Sequence, residues 1–262
     1  MKIGSKRKIT QVLSLIVFNL GFFRILKTGF LCPSLYCYGC PFSLFACPIG
    51  ALQNFVTFRQ VPFFTLGSLG VYGMLAGRVF CGWACPFGAL HDLVSYFKGE
   101  KNFKTPRCWY IKYIVLFVVL ALAWITLDTV FCKFCPSGSL FAAIPYFIRY
   151  RILYNKFPTE SVGVFFYIHI LTLAITLILA YLVVHFWCRY LCPLGAIHGM
   201  FNKVSMLNIR FDEKKCTECE VCLKVCPMGI DKVDDIGRST DCTICGRCVE
   251  KCPEKALSFV VK

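Results

Sequence analysis

The chain is 262 residues long, 57% hydrophobic and only 16% charged, with a mean hydropathy of +0.64 and a formal charge of +15. An average soluble domain carries roughly 25% charged residues, so these values argue against an ordinary soluble protein, and the plentiful apolar side chains exclude intrinsic disorder. The 19 cysteines are an odd number in a long apolar chain, which fits metal ligation better than a small disulfide scaffold.

The chain starts with Lys2, Lys6, Arg7 and Lys8, which favour a cytoplasmic N-terminus. Four apolar stretches follow, roughly 9–30, 61–80, 110–131 and 162–187. Each reaches the about 20 residues that a membrane-spanning helix needs. Arg24 and Lys27 close the first stretch, where their stems can snorkel. Pro62 and interior glycines interrupt the second. The third and fourth read YIVLFVVLALAWITL and FFYIHILTLAITLILAYLVVHFW. Lys98, Lys101, Lys104 and Arg107 after the second stretch support the same orientation, whereas Lys133, Arg149, Arg151 and Lys156 after the third oppose it. With four spans both termini share one side. His169 and His185 fall on the fourth stretch, about 24 Å apart by helical rise, so one haem cannot be held between them.

Residues 206–262 hold ten Lys and Arg against ten Asp and Glu, so the whole positive excess belongs to residues 1–205. This predicts a membrane domain over 1–205 and a polar domain over 206–262. The charge then reports topology and lipid contact, and no nucleic-acid motif is present.

The tail carries Cys216-TE-Cys219-EV-Cys222-LKV-Cys226-Pro227 and Cys242-TI-Cys245-GR-Cys248-VEK-Cys252-Pro253. Three thiolates on a tight loop reach three corners of one iron–sulfur cubane, and the fourth, just before a proline, reaches the neighbouring cubane. The expected sets are Cys216, Cys219, Cys222 and Cys252, and Cys242, Cys245, Cys248 and Cys226. The two motifs fall at about 207–236 and 237–262, and LNIRF and ALSFVV read as a pair of edge strands. Zinc or disulfides would not account for two runs of four, each ending in Cys-Pro.

The front half contains a repeat. Cys81-GWA-Cys85-Pro86-FGAL-His91 matches Cys188-RYL-Cys192-Pro193-LGAI-His198. Each copy ends a predicted span on the same face, so together they offer the four thiolates of a cubane. Proline in the first turn starts a helix, whose N–H groups and dipole favour an anionic cluster. His91 and His198 hold equivalent positions, where they would tune a cluster, relay a proton to a quinone, or cap a helix. Cys37-YG-Cys40-Pro41 resembles Cys132-KF-Cys135-Pro136, and Cys47-Pro48-IGAL-Gln53 echoes the first repeat with Gln53 in the histidine's place. These thiols fall on the opposite face. A second cluster there would draw on Cys37, Cys40, Cys132 and Cys135, with Cys47 able to replace one of them. A Cys32–Cys47 disulfide is the alternative, and Cys108 has no partner pattern.

Four spans, two C-x3-C-P motifs and paired ferredoxin motifs resemble the NapH/MauN group of membrane iron–sulfur proteins, with similar modules in the NosR and CcoG (RdxA) proteins. Cys81, Cys85, Pro86, Cys188, Cys192, Pro193 and the eight tail cysteines carry the match. The cysteines from Cys32 to Cys47 and the pair Cys132/Cys135 depart from the pattern.

The expected fold is a membrane all-α domain of four transmembrane helices plus a small α+β ferredoxin-like domain with two [4Fe-4S] clusters. One or two further iron–sulfur clusters are expected in the membrane domain. The resemblance implies electron transfer between a membrane site, quinone-linked, and a soluble redox partner. The chain would be an electron-transfer subunit, such as part of a quinol dehydrogenase, in the cytoplasmic membrane with its tail in the cytoplasm. A maturation or metal-reducing factor is the alternative. A metal transporter is disfavoured, because Asp128 is the only carboxylate within the apolar stretches.

Overall fold

The computed structural model describes residues 3–22, 28–40, 42–98, 108–154 and 163–261. Lys2, Arg24, Lys27, Lys101, Lys104, Arg107 and Lys156 lie outside them. In chain order the front half comprises α1 (Ile3–Phe18), α2 (Pro48–Thr57), α3 (Phe63–Ala76), α4 (Val79–Trp83), α5 (Pro86–Lys98), α6 (Ile111–Thr126) and α7 (Val130–Phe134). Next come α8 (Pro136–Gly138), a π-helical turn at Ser139–Ala143, α9 (Ile144–Tyr154) and α10 (Val164–Leu182). A second π-helical turn at Trp187–Leu191 leads into α11 (Pro193–Phe201).

Each apolar stretch contains a helix, but the helices are shorter than the stretches. Among the described residues only α10, with 19 residues, is long and apolar enough to cross a bilayer unaided. The others end at backbone breaks. α3 stops at Gly77, whose φ is +51° and where a Cβ would lie 2.6 Å from Asn202 Oδ1. α6 stops at Leu127, which is left-handed with φ +52°. The chain then continues in the short helices that carry the cysteines. His185 lies beyond α10 in a left-handed conformation. It therefore does not share a helix with His169, as the apolar run suggested. Asp128 likewise lies past α6, paired with Lys133.

Residues 28–40 and 42–47 fold back into the helices. Ala46 N–H donates to Phe30 O at 2.8 Å and Cys32 N–H to Ala46 O at 3.0 Å. This return chain puts Cys32, Leu35, Tyr36 and Cys40 into one core with Phe18, Cys85, Phe87, Cys135, Trp187 and Cys192. The two groups of front-half cysteines, expected on opposite faces, thus meet in a single buried core.

The tail contains β1 (Leu207–Phe211), α12 (Val221–Lys224), α13 (Arg247–Lys251) and β2 (Leu257–Val261). The strands pair antiparallel, with Ile209 opposite Phe259, as the apolar segments flanking the cysteine motifs predicted. Ile209, Ile230, Ile236, Ile244 and Leu257 pack with Cys222, Cys242 and Cys248 into a second core.

Candidate iron–sulfur centres and the contacts between them

The two tail motifs interleave. One pocket is lined by Cys242, Cys245, Cys248, the distant Cys226 and Cys222. A second is lined by Cys216, Cys219, Cys222 and Cys252. Each therefore takes three thiols from one run and its fourth from the other, and four thiols around a void fit a cubane. Tight loops make this possible: Glu218, Glu220 and Ile244 are left-handed, as is Gly246, where a Cβ would meet the Phe259 ring at 2.6 Å. The inner cavity is the more buried. Desolvation pushes the Cys242 thiol up to about 12, and it raises Cys248 and Cys226 as well. Such thiols ionise only when a positive centre compensates the thiolate, which bound iron provides.

In the front half the repeat closes on itself. Cys81, Cys85, Cys188 and Cys192 stand so close that every pair among them interacts electrostatically. The π-helical turn at Trp187–Leu191 is closed by Cys192 N–H donating to Trp187 O at 2.9 Å, and it presents Cys188 and Cys192 together. Cys192 caps α11, and its Sγ accepts the Gly195 N–H at 3.3 Å. The backbone of Gly88 faces Cys85 in the same way. Glycine is required at Gly88, since a Cβ there would lie 2.7 Å from Cys81 O.

Cys37, Cys47, Cys132 and Cys135 make a second such group, again with every pair in electrostatic contact. The Cys40 Sγ lies 3.4 Å from Phe42 N and 3.8 Å from Tyr36 Oη, and Cys40 interacts with Cys37. Cys32 is buried and bonded to Ser34, between Cys47 and Cys85, and remains a free thiol.

The tail is docked on the front half. Arg78 is fully buried, and its guanidinium donates to Thr240 O at 2.9 Å, Asp241 O at 3.0 Å and Cys188 O at 2.9 Å. Lys112, also fully buried, bonds Thr240 O and the Asp241 carboxylate. Asn202 Nδ2 donates to Cys242 O at 2.7 Å, and Trp83 Nε1 to Ile244 O at 3.0 Å. Asp92 gathers Arg7 and Gln11 of α1, His185 and the tail's Arg247. Burial pushes the Asp92 carboxyl up, but His185, Arg7 and Arg247 outweigh it and hold it well below the usual carboxylate range.

Matches in sequence follow this architecture. A 4Fe-4S binding domain model covers 61–106, 111–152 and 165–211, about half of the chain. The chain belongs to this 4Fe-4S binding family. A 4Fe-4S dicluster domain model covers 208–253, including all eight tail cysteines. An uncharacterized protein of Methanocaldococcus jannaschii is 32% identical over 72% of this chain and 67% of its own length. Ferredoxin-type protein NapH of Escherichia coli is 27% identical over 73% of this chain and 65% of its own. Subunit I of NAD(P)H-quinone oxidoreductase from Gloeobacter violaceus is 38% identical over 20% of this chain and 31% of its own. No solved structure matches significantly. The chain is a NapH-like 4Fe-4S protein, and its class is iron–sulfur electron transfer.

Within this family member, Cys81, Cys85, Cys132, Cys135, Cys188 and Cys192 fall inside the matched segments, whereas Cys32, Cys37, Cys40 and Cys47 fall before them. His91 and His198 are buried, and their ring nitrogens lack hydrogen-bond partners among the described residues. His91 stacks on His185 at 5.7 Å, and His198 faces the Pro33 carbonyl. Sequence reasoning missed Arg78, Lys112, Asp92 and Asp241. The available signal was that Arg78 and Lys112 are lone cations in apolar runs, where a charge marks function.

Proposed function

We propose that this chain is a membrane-bound electron conduit between a quinone-linked site in the bilayer and a soluble redox protein. Residues 1–205 would form the membrane domain and 206–262 the ferredoxin domain. The tail would hold two [4Fe-4S] clusters, on Cys216, Cys219, Cys222 and Cys252 and on Cys242, Cys245, Cys248 and Cys226. A third would sit on Cys81, Cys85, Cys188 and Cys192. Such clusters supply one-electron redox steps at potentials set by charge, burial and hydrogen bonds to sulfur.

The observation that carries the reading is Arg78. Its guanidinium bonds both the backbone of Cys188 and the loop before Cys242. That joins the front-half thiol group to the inner tail cavity without a flexible linker. A fixed cation there offsets anionic charge on both sides, and Lys112 and Asp241 complete the buried network.

Four spans are supported by the outer faces of the helices. Ile9, Leu13 and Ile16 on α1, Phe63 and Phe64 on α3, Phe117 and Ile125 on α6, and Ile175 and Ile178 on α10 are exposed. A soluble monomer rarely leaves so much apolar surface in water. The outer tail cavity is the surface for the soluble partner: Cys219 is exposed there, and Glu218, Glu220 and Glu254 line it. Those carboxylates suit a partner with a basic contact patch. His91 and His198 are the candidate proton acceptors for quinol oxidation.

Quinol-dependent reduction tests the membrane link. Adding a quinol anaerobically to the full chain in detergent should reduce its clusters. Failure with several quinones would overturn the quinone link. Cys81→Ser and Cys188→Ser should each remove about four irons, and an unchanged count would reject that ligand set.

A further inference from the structure

We infer that Cys37, Cys47, Cys132 and Cys135 form a further iron–sulfur cluster site, with Gln53 positioning the Cys132 ligand. The inference rests on the reading above that the tail and the Cys81 group bind clusters, and adds a centre to it. Two of the four thiols, Cys37 and Cys47, lie in a segment that the family model does not cover.

Convergence comes first. The thiols come from the return chain, from α7 and from the start of α8, yet a Cβ on Gly50 would lie 3.7 Å from Cys132 Sγ and 3.8 Å from Cys47 Cβ, and every pair of the four interacts electrostatically. Glycines frame the group. A Cβ on Gly39 or Gly138 would lie 3.5 or 3.8 Å from Cys37 Sγ. The glycine backbones thus lie close beside the sulfurs of Cys132 and Cys37.

Helix geometry points the same way. Cys47 and Cys135 are each the N-cap of a helix that opens with proline, α2 and α8. The backbone of the glycine three residues on faces each thiol. In the Cys81 group Cys85 also faces the glycine three residues on, and Cys192 Sγ accepts the N–H of its own, Gly195, at 3.3 Å. The sequence C-P-x-G occurs at all four positions, at 47, 85, 135 and 192.

Gln53 is fully buried in α2 and spans the site. Its Nε2 lies 3.6 Å from Cys132 Sγ, and its Oε1 accepts the Phe131 N–H at 3.1 Å. A buried amide held at both ends fixes α7, and with it Cys132, against α2. Its N–H also supplies the kind of hydrogen bond to sulfur that sets a cluster's potential.

The choice of thiols is decided by packing. Cys40 completes a C-x2-C pair in sequence and interacts with Cys37, whereas Cys47 interacts with Cys37, Cys132 and Cys135 alike. Among the described residues no three His, Cys, Asp or Glu side chains converge on a single metal ion. The tail groups, spaced for cubanes, share that property, because thiolates around a cubane stand apart. The new site also adjoins the Cys81 group: the backbone of Leu35 faces Cys85 and that of the next residue, Tyr36, faces Cys47. Two successive residues thus face the two thiol groups.

The test uses the full chain in detergent, reconstituted anaerobically with ferrous iron and sulfide, with iron, acid-labile sulfide and zinc counted. The wild type should hold about 16 irons and as many sulfides, at four per cubane. Cys47→Ser and Cys132→Ser should each lower the count to about 12, with the tail's EPR signals retained, while Cys40→Ser and Cys32→Ser leave about 16. Gln53→Leu should keep the iron and lower the midpoint potential of one centre only. A wild-type count of about 12, about one zinc per chain, or loss of the same irons in Cys40→Ser would overturn the site. An unmoved potential in Gln53→Leu would overturn the role of Gln53. Should the cysteine variants not fold, the wild-type count and Gln53→Leu decide. An unchanged count in Cys81→Ser strikes the Cys81 group, whereas an unchanged count in Cys47→Ser strikes only this site.

Discussion

The tail and the front half both bring four thiols together, by opposite routes. In the tail, Cys216, Cys219 and Cys222 come from one short loop, so most of each group forms locally. In the front half, Cys81 and Cys85 meet Cys188 and Cys192 from the far end of the helical region. Local loops cost little chain entropy to close, and long-range groups depend on the packing that holds their helices. The tail groups should therefore survive damage that disperses the front-half groups.

The sharpest test of that contrast is the buried interface. Asp241→Ala would remove the carboxylate paired with the buried Lys112, a loss of about 3–5 kcal/mol. Denaturant unfolding should show that loss, and proteolysis should release the tail with its iron intact. Gly88→Ala places a methyl 2.7 Å from Cys81 O. Overpacking of this kind costs about 1–3 kcal/mol. Iron counting should show a deficit confined to the Cys81 group, and equal loss from the tail would break the comparison.

Within the tail, Gly246→Ala forces an alanine into φ +77°, a cost of about 1–2 kcal/mol. The thermal midpoint should fall while the front-half iron stays. The smallest effect is on pH dependence. Asp92 has a lowered pKa in the fold, so its contribution is complete above the ordinary carboxylate range, near about pH 4, and fades as pH falls below it. The slope for one proton is at most about 1.4 kcal/mol per pH unit. Melting curves between neutral and acid pH should show it in the wild type, and Asp92→Asn should flatten it.

The two regions also differ in how much could be read before folding. The tail motif carries its own geometry, and both cavities are lined by the cysteines that the spacing assigned. In the front half the repeat around Cys81 and Cys188 was legible because both copies keep the same register. The second group was legible only as five candidates for four places, Cys37, Cys40, Cys47, Cys132 and Cys135. Cys37 and Cys40 look like a pair by spacing, but Cys47 interacts with Cys37, Cys132 and Cys135, and Gly50 and Gln53 bring Cys47 to Cys132. Helix lengths were overestimated because apolar composition runs on through Gly77 and Leu127, where the backbone turns.

By itself the sequence determined that the chain is apolar and basic in front, balanced behind, and supplied with thiols in sets of four. Those are properties of composition and of short-range spacing, which the chain carries whatever its conformation. Only the tertiary structure decided that the return chain (28–40 and 42–47) enters the core, that Cys47 lies near Cys132, and that Arg78 ties Cys188 to Asp241. These depend on contacts between residues far apart in the chain, where a buried charge or amide persists only if its partners arrive with it.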